Sequence, residues 1–248
     1  MAGNGSQPGA SVTTRALSVL ATFDARHPSL RLSDIARRAD LPLPTAHRLV
    51  GELAEWGALS RRADGTYVIG RRLWDLGLLA PAATGLVEAA SPFLHDIHAA
   101  TRATVHLAVR DGVQVLYLDR LAGSVSVPVV SRVGSRLPLH ATGVGKVLLA
   151  YAPPEIQAEA FSRLVRITPY TITQPGRLQS QLARVRTDGY AQTSEEMSLG
   201  ACSVAVPVRD SSDRVVAALG IVVANLKRDR PRLVAALQVA AAGIRRSS

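Results

Sequence analysis

LSDIARRADLPLPTAHRLVG, residues Leu32 to Gly51, reads as two short helices with a tight break between them. Leu32, Ile35 and Ala36 give the first helix an apolar face at i, i+3, i+4. Ser33 is placed to cap its N-terminus, and Asp34 suits the positive end of the helix. Pro42 and Pro44 lack an N–H and push the residue before each out of the helical region, which makes the break. Pro44 suits the first position of the second helix. There Ala46, Leu49, Val50 and Leu53 point inward, and Thr45, His47, Arg48 and Glu52 point mostly outward. Helix, turn, and a second helix with small polar and basic residues in its first turn suit the major groove of DNA. The plain alternative is a helical hairpin.

Moving outward, 12–25 has a helical pattern in Ala16, Leu17, Val19, Leu20 and Phe23, capped by Thr13 or Thr14 and ended by His27-Pro28. The second motif helix runs to about Trp56, with Gly57 just past its end. Asp64-Gly65 between two short runs is a hairpin signal. Three helices and a hairpin describe a winged helix-turn-helix. Arg61 and Arg62 would put positive charge on the wing, for phosphate or the minor groove; a solvated edge strand explains them equally. A helix over 71–83 carries Leu73, Leu76 and Leu79 on one face and Trp74 and Leu78 on others, so it reads as a linker and dimerisation surface, with Pro81 kinking or ending it.

From Gly85 the texture changes. Helices are expected over 86–100 (with Pro92 near a break), 142–151, 155–164, 178–187 and 231–244, and strands over 104–108, 113–118, 126–133, 202–208 and 215–223. Asp111-Gly112 marks another hairpin, and Glu195-Glu196 frames a loop. Strands segregate from helices and are mostly hairpin-linked, which predicts an α+β domain on an antiparallel sheet.

At 248 residues, 47% hydrophobic and 19% charged, the chain is long enough for two modest globular domains. A net charge of +10 and a pI of about 10.9 favour a polyanionic partner. Residues 1–79 hold ten arginines against seven acids, so the charge is not concentrated in the DNA-binding part. A single cysteine, Cys202, forms no intrachain disulfide, fits a reducing cytoplasm, and reads as a buried structural thiol. No apolar run is long enough to span a membrane, and the N-terminus lacks a signal-peptide pattern; residues 1–11 read as a disordered tail.

His140-Ala141-Thr142-Gly143-Val144-Gly145-Lys146 superficially resembles a phosphate loop, but His140 stands where the first glycine is needed and Val147 where a hydroxyl is needed. What remains is a glycine-bearing helix start whose bare amides at Gly143 and Gly145 suit an anion. His95 and His98 have metal-ligand spacing without an acidic or thiol partner set and read as solvated; His106 and His140 add nothing definite. No catalytic grouping, metal or cofactor is expected.

In the order and spacing of several motifs the chain resembles the IclR family of bacterial transcription regulators, over 12–244. The likeness rests on Arg15-Ala16-Leu17, on 43–49 (LPTAHRL), 113–120 (VQVLYLDR), 137–146 (LPLHATGVGK), Glu195-Glu196, and 204–208 (VAVPV). The resemblance implies a winged helix-turn-helix domain over 12–72, a linker helix over 73–85, and a GAF-like effector domain over 86–248. It implies a homodimer, often paired into tetramers, that binds double-stranded operator DNA, more often as a repressor. The DNA-facing set would be Ser33, Pro44, Thr45, Ala46, His47, Arg48, Arg61 and Arg62. The effector would be a small organic or aromatic acid: Gly143 and Val144 offer amides, Thr193 and Ser203 side-chain contacts, Val129 and Leu137 apolar wall. Gly220 and Val222 leave the last strand smooth where relatives can present hydroxyls, which favours a carboxylate on an aromatic body over a two-carbon acid. The competing classes are an enzyme with a nucleic-acid-targeting head, which the missing catalytic groupings disfavour, and a nucleic-acid packaging protein, which would not need the second domain.

Overall fold

A computed structural model describes residues 11–24, 26–79, 81–122, 127, 129–227 and 229–247. The expected tail falls almost wholly outside them. Residues 1–81 and 82–248 form two compact units.

The first unit holds α1 (Val12–Leu20), α2 (Leu32–Arg38) and α3 (Leu43–Glu55). Ser11, not Thr13 or Thr14, caps α1, accepting from the Thr14 amide at 3.0 Å. The helix stops at Leu20, earlier than expected, where Thr22 turns its hydroxyl onto the Val19 carbonyl. The amides of Asp34 and Ile35 both donate to the Arg31 carbonyl, so α2 starts at Leu32. Ser33 therefore sits inside the first turn and is not its cap. Likewise α3 starts at Leu43, which puts Pro44 second; neither position needs an amide donor. Val19, Leu30, Ile35, Leu49, Val50 and Leu59 form the core. Strands β2 (Leu59–Arg61) and β3 (Tyr67–Ile69) form the wing, turned at Gly65, whose φ of +79° favours glycine. The two-residue strand β1 (Ser29–Leu30) joins β3 and is too short to leave a periodic signal.

The expected helix over 71–83 is two helices, α4 (Arg71–Leu78) and α5 (Pro81–Thr101). Pro81 opens α5, where its missing N–H costs nothing, and α5 passes through Pro92 without a break.

In the second unit, six antiparallel strands run in the order β6-β5-β4-β9-β8-β7. They are β4 (Thr104–Asp111), β5 (Gln114–Leu121), β6 (Arg136–Pro138), β7 (Ala191–Ser194), β8 (Cys202–Arg209) and β9 (Val215–Val223). The strand expected over 126–133 is absent among its described residues, Ser126 and Pro128 lying outside them; the short β6 follows instead. On one face Val105, Leu107, Val204, Val206, Leu219 and Ile221 meet α5 and α9 (Arg230–Ser247). On the other face α6 (Gly143–Ala150), α7 (Pro154–Ser162) and α8 (Pro175–Asp188) cover Ala108, Tyr117, Ala205 and Ala218. The period-two alternation of strands puts branched residues on the first face and, beneath α6, the small residues Ala205, Ala218 and Gly220 on the second, so α6 lies close to the sheet.

Candidate functional site

In the first unit α3 projects His47 and Arg48 into solvent, with Thr45 half-buried beside them; Ser33, Pro44, Arg61 and Arg62 are exposed. Ala46 does not belong to this surface: its side chain is fully buried, because it lies on the inward face of α3 with Leu49 and Val50. Arg48 Nη1 lies 2.5 Å from Glu52 Oε1, one turn on. The Arg61 guanidinium lies over the Tyr67 ring at 5.9 Å, so the wing's cation is seated while it remains exposed.

The second unit forms a partly open cavity between the start of α6 and the sheet. All eight residues singled out for an effector line it: Gly143 and Val144 on α6, Thr193, Ser203, Gly220 and Val222 on the strands, and Val129 and Leu137 on the far wall. Two glycines make this possible. A Cβ on Gly143 would stand 2.6 Å from Ser203 Oγ, and one on Gly220 2.7 Å from a Val144 methyl. Glycine thus seats the helix on the strands. The amides of Gly143 and Val144 have no acceptor within the helix. That of Gly145 is not bare, as expected from sequence, but donates to the capping Thr142 Oγ1 at 3.1 Å. Thr193 and Ser203 share a hydrogen bond of 2.6 Å.

The other end of the cavity was not legible as part of a site. His106 lies there with its Nε2 2.8 Å from Ser131 Oγ and its ring edge-on to Tyr117 at 5.0 Å. Burial first, then the Arg120 charge, depresses the His106 pKa to about 3, so the ring is neutral. Burial also pushes the Tyr117 hydroxyl upward, against a hydrogen bond with Thr142. The available signal was a polar residue at an inward strand position, in phase with Thr104 and Ala108.

Below the cavity, Lys146 Nζ donates to Glu196 Oε1 and Gln181 Oε1, both at 2.6 Å, with Lys146 1% and Glu196 5% exposed. Burial lowers the lysine pKa and raises the glutamate pKa, each partly offset by the other's charge. Glu195 instead takes a left-handed φ of +55° and accepts from the Gly200 amide, so the adjacent carboxylates do frame a loop.

Remaining readings resolve locally. His95 Nδ1 lies 2.8 Å from the Ser91 carbonyl and His98 Nδ1 2.8 Å from that of Ala103; His98 is only half solvated. No group of three metal-ligating side chains occurs among the described residues. Cys202 is half-buried rather than buried, because it opens β8 at the sheet's rim, 3.5 Å from Ser194 Oγ.

Family models cover both units: the IclR helix-turn-helix domain matches residues 12–63, and the bacterial transcriptional regulator IclR C-terminal domain matches 80–246. The chain belongs to the IclR family. The HTH-type transcriptional regulator XynR of Escherichia coli is 34% identical over 84% of this chain and 83% of its own length. The HTH-type transcriptional repressor AllR of Salmonella typhi is 30% identical over 87% and 80%. An IclR homolog from Microbacterium hydrocarbonoxydans, crystallised with 4-hydroxybenzoate, superposes with a TM-score of 0.92 at 37% identity, covering 96% of this chain and 98% of that one. This IclR protein is a DNA-binding transcriptional regulator with an α+β effector domain, and its named relatives give no support to an enzymatic reading. No helix among the described residues is long and apolar enough to cross a membrane.

Proposed function

We propose that this regulator represses transcription by binding operator DNA as a homodimer and releases it in response to an aromatic carboxylate. The observation that carries the reading is the cavity. Two helix-start amides at Gly143 and Val144 and the Thr193–Ser203 hydroxyl pair face a chamber whose walls include Val129, Leu137, Val144, Ile221 and Val222. Amides at a helix N-terminus suit a carboxylate, and the smooth Gly220–Val222 wall suits a ring. The 4-hydroxybenzoate in the homologous crystal structure supports that class of ligand, and AllR's naming as a repressor supports the sign. On the DNA side, Thr45, His47 and Arg48 read bases in the major groove. Ser33 and Pro44 flank them, and Arg61 and Arg62 hold backbone or minor groove. Dimers form through α4, where Trp74, Leu76 and Leu79 are 60%, 48% and 75% exposed; Leu78's side chain lies outside the described residues. The proposed division is a winged helix-turn-helix domain over 12–72, a linker over 73–85 and an effector domain over 86–248, and the two compact units, which part at 81/82, support it. Calorimetry with 4-hydroxybenzoate tests the cavity. The intact chain should bind it, and Gly143→Ala, which drives a methyl at Ser203 Oγ, should lose at least about tenfold in affinity. Equal binding by both proteins would refute the site.

A further inference from the structure

We propose that His106 and Ser131 are the specificity end of this cavity, a neutral donor–acceptor pair that reads a hydroxyl group on the aromatic ring opposite the carboxylate. The inference rests on the aromatic-acid reading above and goes further, naming what the distal end selects. Ser203 on β8 and His106 on β4 flank β9, and both point to the α6 face, in phase with Ala205 and Gly220. Two strand spacings across and a two-residue offset along the strands put their Cα atoms about 12 Å apart, which leaves room between them for a benzene ring hydrogen-bonded at each end. Between them the floor is Gly220 and the wall Val144 and Val222, with nothing polar to offer.

The chemistry of the pair favours a hydroxyl. If Nε2–H donates to Ser131 Oγ, the serine O–H is left to donate into the cavity; if the serine donates to Nε2, its oxygen is left to accept. Either tautomer matches a group that both donates and accepts. A methyl group would strand the pair, and a second carboxylate, which only accepts, would suit just the tautomer in which the serine donates into the cavity. The ring is held neutral by burial and by the neighbouring Arg120 charge, so it adds no charge of its own. Outside the cavity lining, Oγ1 of the fully buried Thr104, two residues along β4, and Nε of Arg120, opposite His106 in register, are buried without a hydrogen-bond partner. The spare donor or acceptor on Ser131, a residue that does line the cavity, is left for a polar group of the ligand.

The test is calorimetry on the full chain with 4-hydroxybenzoate, 4-methylbenzoate (matched in size) and 4-carboxybenzoate, for wild type, Ser131→Ala and His106→Phe. Wild type should prefer the hydroxyl over the methyl compound by at least about tenfold. In both variants that ratio should fall to near one. Ser131→Ala removes a single oxygen, and binding of 4-methylbenzoate reports that each variant is folded. A wild-type ratio near one, a ratio kept in either variant, or tightest binding of 4-carboxybenzoate would overturn the proposal while leaving an aromatic-acid cavity in place. Failure of all three acids to bind wild type would overturn both.

Discussion

Lys146 and Glu196, fifty positions apart, meet where α6 and the loop after β7 both border the cavity. Leaving one buried charge without its partner costs about 3–5 kcal/mol, whereas replacing both with apolar groups costs far less. Lys146→Met alone should therefore destabilise the chain by that order, and Lys146→Met with Glu196→Leu should recover much of it, read by urea unfolding. Equal stability of the single and double variants would contradict the pairing. His106 sets a pH dependence. Its native pKa, about 3, lies below the ordinary 6.5, so the unfolded chain takes up the proton first. The stability is fully present above pH 6.5 and lost as pH falls from there toward 3, about 2 kcal/mol by pH 5. His140, also lowered by burial, adds to the same slope. His106→Gln should flatten the loss between pH 7 and 5; an unaltered slope would show that the ring is not held neutral. Neither feature could be read from sequence. An ion pair of that separation leaves no local pattern, and an inward strand histidine looks the same whether it packs or binds.

At the scale of elements, α3 and the wing have separable duties. Arg48→Ala should cost about 1–3 kcal/mol on the preferred operator and relax its specificity, because a guanine contact is sequence-dependent. In the free protein Arg48 rests on Glu52, an exposed pair worth little, which a stronger contact readily displaces. Arg62→Ala should weaken all sequences alike and reduce the salt slope by about one. Footprinting and salt titration separate the two, and a uniform loss from Arg48→Ala would reassign it to phosphate. Elements with strong local chemistry were legible: α2 and α3 around their prolines, the Asp64-Gly65 wing, β8 and β9 as long apolar runs. Those fixed by tertiary contacts were not. β1, β6 and β7 have two to four residues, too few for a period. The division of α4 from α5 turns on Pro81, whose preference for a first helical position competes with its power to end a helix. At the cavity's proximal end only the glycine-bearing helix start at Gly143 and Gly145 was legible from the residues themselves, and of its two amides thought bare that of Gly145 is capped; Thr193, Ser203 and Gly220 came from the family resemblance alone.

For the whole molecule, exposed Trp74 and Leu79 predict association. Wild type should sediment as a dimer at micromolar concentration, and Trp74→Glu with Leu79→Glu should shift it toward monomer and weaken operator binding; a monomeric wild type that binds operator tightly would refute the dimer. A ligand acts on the assembly only if it binds the DNA-bound and free states unequally. The most direct measurement is therefore an operator titration: genomic DNA recovered on the purified full chain, then bound with and without saturating 4-hydroxybenzoate. The predicted result is sequence-selective binding whose affinity falls about 5- to 150-fold with the acid present. Identical affinity with and without it, under conditions where calorimetry shows the acid bound, would contradict the account.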